Sequence, residues 1–147
     1  MPVKLTYVPA TKNDIESLIQ FNKELIDTYE DKTLIDYTKV LEWVHHKIEN
    51  HIHDYSRIIK EDQIVGYVHF HEFEDKMELD DLYIFPAFRN QGIGTEVIKK
   101  CLSETNRDVM LYVFNKNVRA YALYQKLGFQ LTKKMPTRSI LVFHQKG

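Results

Sequence analysis

Cysteine, glycine and proline are scarce in this sequence. Its 147 residues include one cysteine, five glycines and four prolines. Because Cys101 has no second cysteine to pair with, it can form neither an internal disulfide nor a thiolate zinc cluster, and a reducing, cytoplasmic location is expected. The low glycine and proline content excludes collagen-like segments and proline-rich linkers.

Long apolar runs are also absent from the sequence. No stretch approaches the ~18 continuous apolar residues that a membrane span requires. The N-terminal segment MPVKLTYVPATKND lacks the apolar core of a secretory signal. We therefore expect neither a membrane partner nor a secretory signal.

The charge is balanced. Twenty lysines and arginines stand against 21 aspartates and glutamates, which gives a formal net charge of −1. Nucleic-acid binders normally show a basic excess, so a nucleic-acid partner is not expected. An apolar content of 44% is enough for a core and excludes general disorder. The length predicts one domain over residues 1–147.

The hydrophobic pattern predicts alternating strands and helices that build a mixed sheet covered by helices. A capping box at Thr11 and Asp14 indicates the start of the first helix, which runs to about Tyr29. The other predicted helices cover 36–50, a segment from about 94, and 117–128. Strands are predicted at 4–10, 56–62, 63–73, 77–85, 108–114, 129–134 and 139–145.

The segment PAFRNQGIGTEVIKK, residues 86–100, carries the strongest chemical signal. A strand ends at a proline, and Arg89 and a Gly-x-Gly pair precede a helix. Glycines let an anion lie against the backbone, and a helix start offers unpaired N–H groups, so the segment predicts a phosphate cradle. A Walker A loop would need a lysine after Gly94, and a dinucleotide fingerprint would need a third glycine at Val97. A plain nucleotide-binding α/β domain and a turn that binds nothing remain alternatives.

Two motifs together resemble the GNAT family of N-acetyltransferases. Arg89–Gly94 matches the family signature Arg/Gln-x-x-Gly-x-Gly/Ala, and Asp81–Pro86 resembles the family's fourth strand. Downstream, Asn117–Phe129 is similar to the second motif, Asn-x-x-Ala-x-x-Leu-Tyr-x-Lys-x-Gly-Phe. The resemblance in residues covers Met77–Phe129, and the order of elements matches along essentially the whole chain.

The resemblance implies an α/β (α+β) fold with a mixed, mostly antiparallel sheet of six to seven strands and about four helices. It also implies acetyl-coenzyme A (acetyl-CoA) as donor, an amine as acceptor, and a homodimer. No metal is expected, because the seven histidines include no HExxH pattern. In this family the pyrophosphate of the donor sits on the glycine loop, and its pantetheine arm pairs with the fourth strand. The implied donor-binding residues are Leu82, Tyr83, Ile84, Arg89, Asn90, Gln91, Gly92, Ile93, Gly94, Thr95, Asn117, Ala120 and Tyr124.

Tyr124 and Asp81 are the predicted catalytic residues. A departing thiolate needs an acid, and the matched motif gives Tyr124 that role, although its helical spacing also fits a core stripe. An attacking amine with a pKa of ~10.4 must lose a proton, which makes Asp81 the base, directly or through water. Asp81 could instead be a strand-end charge that faces solvent or pairs with a cation.

The acceptor pocket is assigned to the first two helices and the late strands. An acidic segment at 27–31 favours a small cationic amine or a protein amino group. The predicted acceptor residues are Tyr29, Glu30, His69 and His71. A non-catalytic acyl-CoA-binding module on the same fold is the alternative function.

Overall fold

The computed structural model describes residues 3–145, in which seven strands form one sheet in the order β1-β2-β3-β4-β5-β7-β6. Neighbouring strands are antiparallel except for the parallel pair β4 and β5. The strands are β1 (Thr6–Pro9), β2 (Tyr55–Lys60), β3 (Gln63–Phe73), β4 (Lys76–Ile84), β5 (Val109–Phe114), β6 (Gln130–Lys134) and β7 (Arg138–Phe143). The helices are α1 (Ile15–Tyr29), α2 (Tyr37–His51), α3 (Ile93–Ser103) and α4 (Val118–Lys126).

The predicted fold class is confirmed, and most element bounds agree within a few residues. The strand predicted over 4–10 is limited to Thr6–Pro9, because only these residues pair with β2. Short 3₁₀ turns at 12–14, 52–54 and 86–88 were not predicted. A single turn is too short to carry a hydrophobic period. None of the helices in residues 3–145 has the length and apolar character that a bilayer crossing requires.

The helices cover the sheet with two apolar clusters. Helices α1 and α2 contribute Leu18, Ile26, Val44 and Ile48 to one cluster, which includes Tyr55 and Tyr67 of the sheet. Helix α3 contributes Ile93, Val97, Ile98 and Cys101 to the other, against which the apolar side chains of α4 pack. The periodic apolar positions of the sequence therefore face the sheet.

The carboxylate of Asp14 fastens the start of α1 to the sheet. It is 4% exposed. It accepts hydrogen bonds from the Thr11 backbone N–H (2.8 Å), from Arg57 Nε (2.8 Å) and from the Tyr67 hydroxyl (2.7 Å). Burial raises the pKa of Asp14, but these hydrogen bonds outweigh burial and hold the pKa below its usual range.

Strand β4 contains a β-bulge at Asp80. On β3, His69 lies opposite Asp81 and Phe70 lies opposite Leu79, so Asp80 is an extra residue between two paired ones. Side chains alternate between the faces of a regular strand, and a bulge shifts this alternation by one residue. Both aspartates consequently contact α2, although they are neighbours in sequence.

Strands β4 and β5 pair along only a small part of their length. Parallel pairs join Met77 and Glu78 to the first two residues of β5. Strand β4 nevertheless continues to Ile84 and is paired with β3 to that point. Beyond Glu78, the edges of β4 and β5 that face each other therefore have no partner strand, and a gap opens between them.

Candidate functional site

A cavity of about 240 Å³ occupies the gap between β4 and β5. Its walls include residues 79–82 of β4 and 112–114 of β5, together with residues of α1, α2 and α4. Its ionisable lining residues are Glu30, Lys47, Asp80, Asp81, Tyr112, Tyr124 and Arg138. The cavity therefore combines three carboxylates, two cations and two phenols at the point where the sheet is interrupted.

Lys47 of α2 is the centre of an ionic network in this cavity. Its ammonium lies 2.8 Å from Asp80 and 3.5 Å from Asp81, and its side chain is 15% exposed. Burial lowers the pKa of Lys47, but the two carboxylates outweigh burial and raise the pKa overall. Lys47 therefore remains a cation and is committed to the two aspartates.

Each aspartate has a second donor on the neighbouring strands. The Tyr55 hydroxyl donates to Asp81 Oδ2 at 2.7 Å, and Nδ1 of His69 lies 3.0 Å from Asp80 Oδ2. Burial raises the pKa of Asp80, but the His69 hydrogen bond and the Lys47 ammonium outweigh burial and hold the pKa well below its usual range. Burial, followed by the charge of Asp81, raises the pKa of Tyr55, so this phenol stays protonated.

The contacts of Asp81 leave one of its carboxylate oxygens available. Within residues 3–145, both Tyr55 and Lys47 approach Oδ2. Oδ1 is therefore the oxygen that can accept a hydrogen bond from a water molecule or a ligand. Asp81 is therefore not a strand-end charge that faces solvent. It pairs with a cation, Lys47, as the alternative to the base role predicted, and Tyr55 also donates to it.

Tyr124 reaches the same cavity from α4. Its ring meets Phe129 edge-on, with centroids 5.7 Å apart and planes at 63°. Burial, followed by the charge of Asp81, raises the pKa of Tyr124 to about 12. The ring contributes to the core, as its spacing predicted, while the residue also lines the cavity together with Asp81.

The glycine loop lies at the start of α3 and presents bare backbone. Gly92 is the N-cap residue, has φ +81°, and provides no side-chain cap for the helix. A Cβ placed on Gly92 or Gly94 would meet no atom within 4 Å. The first intrahelical hydrogen bond joins the Glu96 N–H to the Gly92 carbonyl at 3.1 Å. The space over the loop is therefore open, and the N–H groups before Glu96 can bind an anion.

The polar side chains of this loop hydrogen-bond to other elements of the protein and hold the loop in place. Asn90 also has a left-handed backbone, with φ +64°. Each of three successive side chains hydrogen-bonds to another element. These bonds join Arg89 Nε to the Ile84 carbonyl (2.9 Å), Arg119 Nη2 to Asn90 Oδ1 (3.0 Å) and Lys60 Nζ to Gln91 Oε1 (2.9 Å).

Three of the remaining residues predicted for the donor lie along the gap. Leu82, Asn117 and Ala120 line the cavity. Asn117 Oδ1 accepts a hydrogen bond from the Ala120 N–H at 3.3 Å and so caps α4. Its NH₂ group remains for another contact. The Tyr83 hydroxyl donates to Glu24 of α1 at 3.3 Å, so the side chain of Tyr83 is directed towards α1. Its backbone is the part of Tyr83 that can bind a ligand in the gap.

The predicted acceptor residues are dispersed. Glu30 lines the cavity, whereas Tyr29, His69 and His71 are not among its lining residues within 3–145. Tyr29 stacks on Phe114, with ring centroids 6.2 Å apart. His69 is 3% exposed and lies against Asp80. Nε2 of His71 lies 2.9 Å from Glu78, on the β3–β4 surface.

Two of the three carboxylates of the acidic segment at 27–31 are held by neighbouring groups, and one of them, Asp27, is paired with cations. Asp27 lies 3.0 Å from the ammonium groups of both Lys23 and Lys32. Asp31 accepts hydrogen bonds from the Thr33 backbone and hydroxyl. Glu30 is the member of this segment that reaches the cavity.

Lys47, Trp43 and Arg138 line the cavity but were not predicted. Trp43 is 61% exposed at this site. Lys47 follows the buried Val44 by three residues, so it occupies the inward stripe of α2. A charged residue in an apolar stripe was a signal that could have identified it. Arg138 carried no comparable signal, because a first residue of a strand is often exposed.

A group of potential metal ligands also lies near the cavity. Ligand atoms of His69, His71 and Asp80 are within 4.8 Å of one another. Asp80 and Nδ1 of His69 contact each other, and both nitrogens of His71 have protein partners, Glu78 and the Glu72 carbonyl. Nε2 of His69, by contrast, is buried and has no hydrogen-bond partner within residues 3–145. The absence of a metal therefore remains a prediction.

The family model for the Acetyltransferase (GNAT) family matches residues 18–129. Among curated proteins, uncharacterized protein YxbD of Bacillus subtilis is 30% identical over 83 residues, which cover 54% of this chain and 51% of that protein. Thialysine N-epsilon-acetyltransferase of Mus musculus is 41% identical over 56 residues, which cover 35% of this chain and 33% of the mouse protein. The chain thus aligns with about half of the length of YxbD and a third of the mouse protein.

Solved structures share the fold at low sequence identity. The PaiA N-acetyltransferase of Thermoplasma acidophilum, crystallised with coenzyme A, is 19% identical, with a TM-score of 0.69 over 97% of this chain and 99% of that one. An acetyltransferase of Thermus thermophilus is also 19% identical, with a TM-score of 0.71 over 95% and 96% of the two chains.

Proposed function

Because the chain belongs to the GNAT acetyltransferase family, we propose that it transfers an acetyl group from acetyl-CoA to a primary amine. The observation that carries this proposal is the position of Tyr124 and Asp81 at one cavity in the gap between β4 and β5. The name of the mouse relative, which refers to transfer to an ε-nitrogen, supports an amine as the acceptor.

The residues around α3 and β4 fit the proposed donor. Gly92 and Gly94 leave open space where side chains would otherwise stand, and the backbone N–H groups at the start of α3 suit a diphosphate. Beyond Glu78, the edge of β4 that faces β5 has no partner strand, so the amide groups of an extended pantetheine arm can pair with it there. Asn117 and Ala120 lie alongside on α4.

In the proposed reaction acetyl-CoA supplies a thioester, whose C–S bond breaks as the C–N bond to the acceptor forms. The amine loses its first proton to Asp81 before the attack, and the second proton, which the nitrogen loses as the amide forms, ends on the departing thiolate. Tyr124 directs a hydrogen bond to the sulfur as its negative charge develops. With a pKa raised to about 12, Tyr124 stays protonated at neutral pH. Full transfer of its proton to a thiolate of pKa ~8.5 is uphill by roughly 3.5 units, or about 5 kcal/mol. Tyr124 therefore stabilises the developing thiolate through a hydrogen bond and does not transfer its proton completely before the sulfur departs.

Asp81 is the proposed acceptor of the amine proton. An ammonium has no lone pair, and neutralising an amine of pKa ~10.4 at pH 7 costs about 4–5 kcal/mol. Asp81 Oδ1 can take that proton through a water molecule, while Tyr55 and Lys47 hold Oδ2. Lys47 cannot share this role, because its pKa is raised and it is already protonated.

Cys101 supports direct transfer rather than a covalent enzyme intermediate. The thiol is 4% exposed on the inner side of α3. Burial, followed by the charge of Glu104, raises its pKa to about 12, so the nucleophilic thiolate is scarcely populated. The buried thiol is also in keeping with the proposed cytoplasmic location.

The proposal is tested by titrating the protein with acetyl-CoA in a calorimeter and by screening amines for release of free coenzyme A. Binding together with amine-dependent thiol release is expected. Binding without release for any amine would identify a non-catalytic acyl-CoA-binding module. No binding, with protection against unfolding by ATP or NAD instead, would indicate a nucleotide-binding domain.

A further inference from the structure

We infer that the acceptor amine also carries a carboxylate, which Arg138 binds, so that the substrate belongs to the class of diamino acids such as lysine and ornithine. This inference rests on the proposed function and names the substrate class of the same site. Its basis is the distribution of charge around the cavity. Lys47 is paired with two aspartates of the protein, whereas Arg138 has no acidic partner within residues 3–145.

Lys47 cannot serve as the carboxylate-binding group. Its ammonium is already shared by Asp80 and Asp81, at 2.8 Å and 3.5 Å. An incoming carboxylate would have to displace one of these aspartates from a side chain that is only 15% exposed. Breaking a buried ion pair leaves an uncompensated charge, so this exchange is unfavourable.

Arg138 is placed differently. Within residues 3–145 its guanidinium forms no salt bridge and no side-chain hydrogen bond with an acidic group, although it lines the cavity. It lies over the ring of Tyr112, with its central carbon 4.7 Å from the ring centroid. Stacking on an aromatic ring restrains the side chain and leaves the N–H groups at its edge free. A planar guanidinium offers paired N–H donors that match both oxygens of a carboxylate.

The opposite charges on the cavity walls match the two ends of such a substrate. Arg138 and Tyr112 lie on the β5–β7 side, whereas Asp80 and Asp81 lie on β4, with Lys47 of α2 beside them. Glu30 provides a further carboxylate that reaches the cavity. The five ionised lining groups together carry a charge of −1. A molecule with two ammonium groups and one carboxylate carries +1 and balances it.

The size and the apolar surfaces of the cavity suit a short aliphatic chain. A volume of about 240 Å³ is below the ~300–1,000 Å³ of pockets that hold drug-sized ligands. Trp43 is 61% exposed and Tyr112 is 39% exposed, so large apolar faces are available to methylene groups at the site. A folded protein surface would not enter such a cavity, although a single side chain with an accessible amine would.

The test uses acceptors that differ only in the carboxylate: L-lysine against cadaverine, and L-ornithine against putrescine. We expect the amino acids to have kcat/KM about three- to fivefold above their diamines, because Arg138 is exposed and an ion pair at an exposed site contributes no more than this. Arg138→Gln should abolish this preference by raising KM for the amino acids. It should leave KM for acetyl-CoA and the values for the diamines within about twofold. Arg138→Lys should retain part of the preference, since it keeps the charge but loses the planar fork.

Four outcomes would overturn the inference. The wild-type protein could use amino acids and diamines equally, or acetylate neither amino acid. The preference could survive Arg138→Gln, or that variant could change KM for acetyl-CoA with every acceptor. The proposed function itself would still stand if any amine were acetylated, and it would fail if acetyl-CoA bound with no transfer to any amine or did not bind at all. Melting curves establish that each Arg138 variant is folded.

Discussion

Removal of the Tyr124 hydroxyl tests the central part of the proposed mechanism. Tyr124→Phe keeps the ring that meets Phe129 edge-on at 5.7 Å and deletes only the oxygen at the cavity. General acid groups typically contribute about 10²–10⁴ in rate. Because its pKa is raised to about 12, Tyr124 gives a hydrogen bond rather than a complete proton early in the reaction. We therefore expect the low end, a loss in kcat of about 100-fold, or about 2.7 kcal/mol.

The assay follows thiol release with a saturating amine and varied acetyl-CoA. KM for acetyl-CoA should change by less than about threefold, since the hydroxyl acts in the transition state. The melting temperature should stay within about 2 °C, because the packing of the ring is retained. Tyr121→Phe is the matched control: it lies one turn earlier on α4, at a different surface depression, and should retain full activity.

The pH profile provides a second check on Tyr124. A group that acts while protonated loses its effect only as pH rises through its pKa, which is about 12 here. The wild-type protein should therefore show no alkaline decline due to Tyr124 below about pH 10. A Tyr124→Phe protein with kcat within threefold of wild type would refute the assigned role, as would an equal loss in Tyr121→Phe.

Three further changes test the loop, the sheet and the anchor of α1. Gly94→Glu should fold normally, because a Cβ there meets no atom within 4 Å. It should raise the Kd for coenzyme A at least about tenfold, because it places a carboxylate where a diphosphate is proposed. Unchanged affinity in calorimetry would contradict the proposed position of the diphosphate. Gly66→Ala should lower the free energy of unfolding by about 2–3 kcal/mol in urea titrations, since its Cβ would lie 2.0 Å from the Tyr83 carbonyl oxygen. Gly94→Ala is the control for both glycine variants and should leave the free energy of unfolding unchanged or raise it by up to about 1 kcal/mol, because alanine is the better helix former. Asp14→Asn should cost about 3 kcal/mol at pH 7 by leaving Arg57 without its buried partner. Because the folded-state pKa of Asp14 lies below its unfolded value, this difference should be constant above about pH 4 and shrink as pH falls further. A difference that grew towards low pH would show that Asp14 is not the stabilised carboxylate.

Local patterns in the sequence predicted the elements and the donor loop. The apolar period of α1, the capping box at Thr11 and Asp14, and the Gly-x-Gly pair before α3 each depend on residues close together in the chain. Because neighbouring residues form each of these features, each one can be recognised from a short stretch of sequence. The order of strands and helices followed from the same patterns.

The arrangement of the acceptor side depends on contacts between distant residues and was predicted less well. Lys47 meets Asp80 and Asp81 more than 30 residues further along the chain, and no local pattern announces such a pairing. The bulge at Asp80 adds a single residue to β4 and has no recognisable pattern in the sequence. The sequence alone therefore could not predict on which face of the sheet the side chain of Asp81 lies. His69 and His71 were correctly expected to share a strand face. Their distance from the cavity depends on how α2 lies over the sheet.

The short pairing between β4 and β5 divides the sheet into two mechanically distinct halves. Every antiparallel pair of neighbouring strands is joined through at least four residue pairs, whereas this parallel seam has two. Widening the seam breaks few backbone hydrogen bonds, so the amide hydrogens of residues 79–82 that point into the gap should exchange with solvent faster than those of the same strand that bond to β3. A ligand that pairs with this edge of β4 would act as a missing strand, slowing that exchange and making the two halves unfold as one unit.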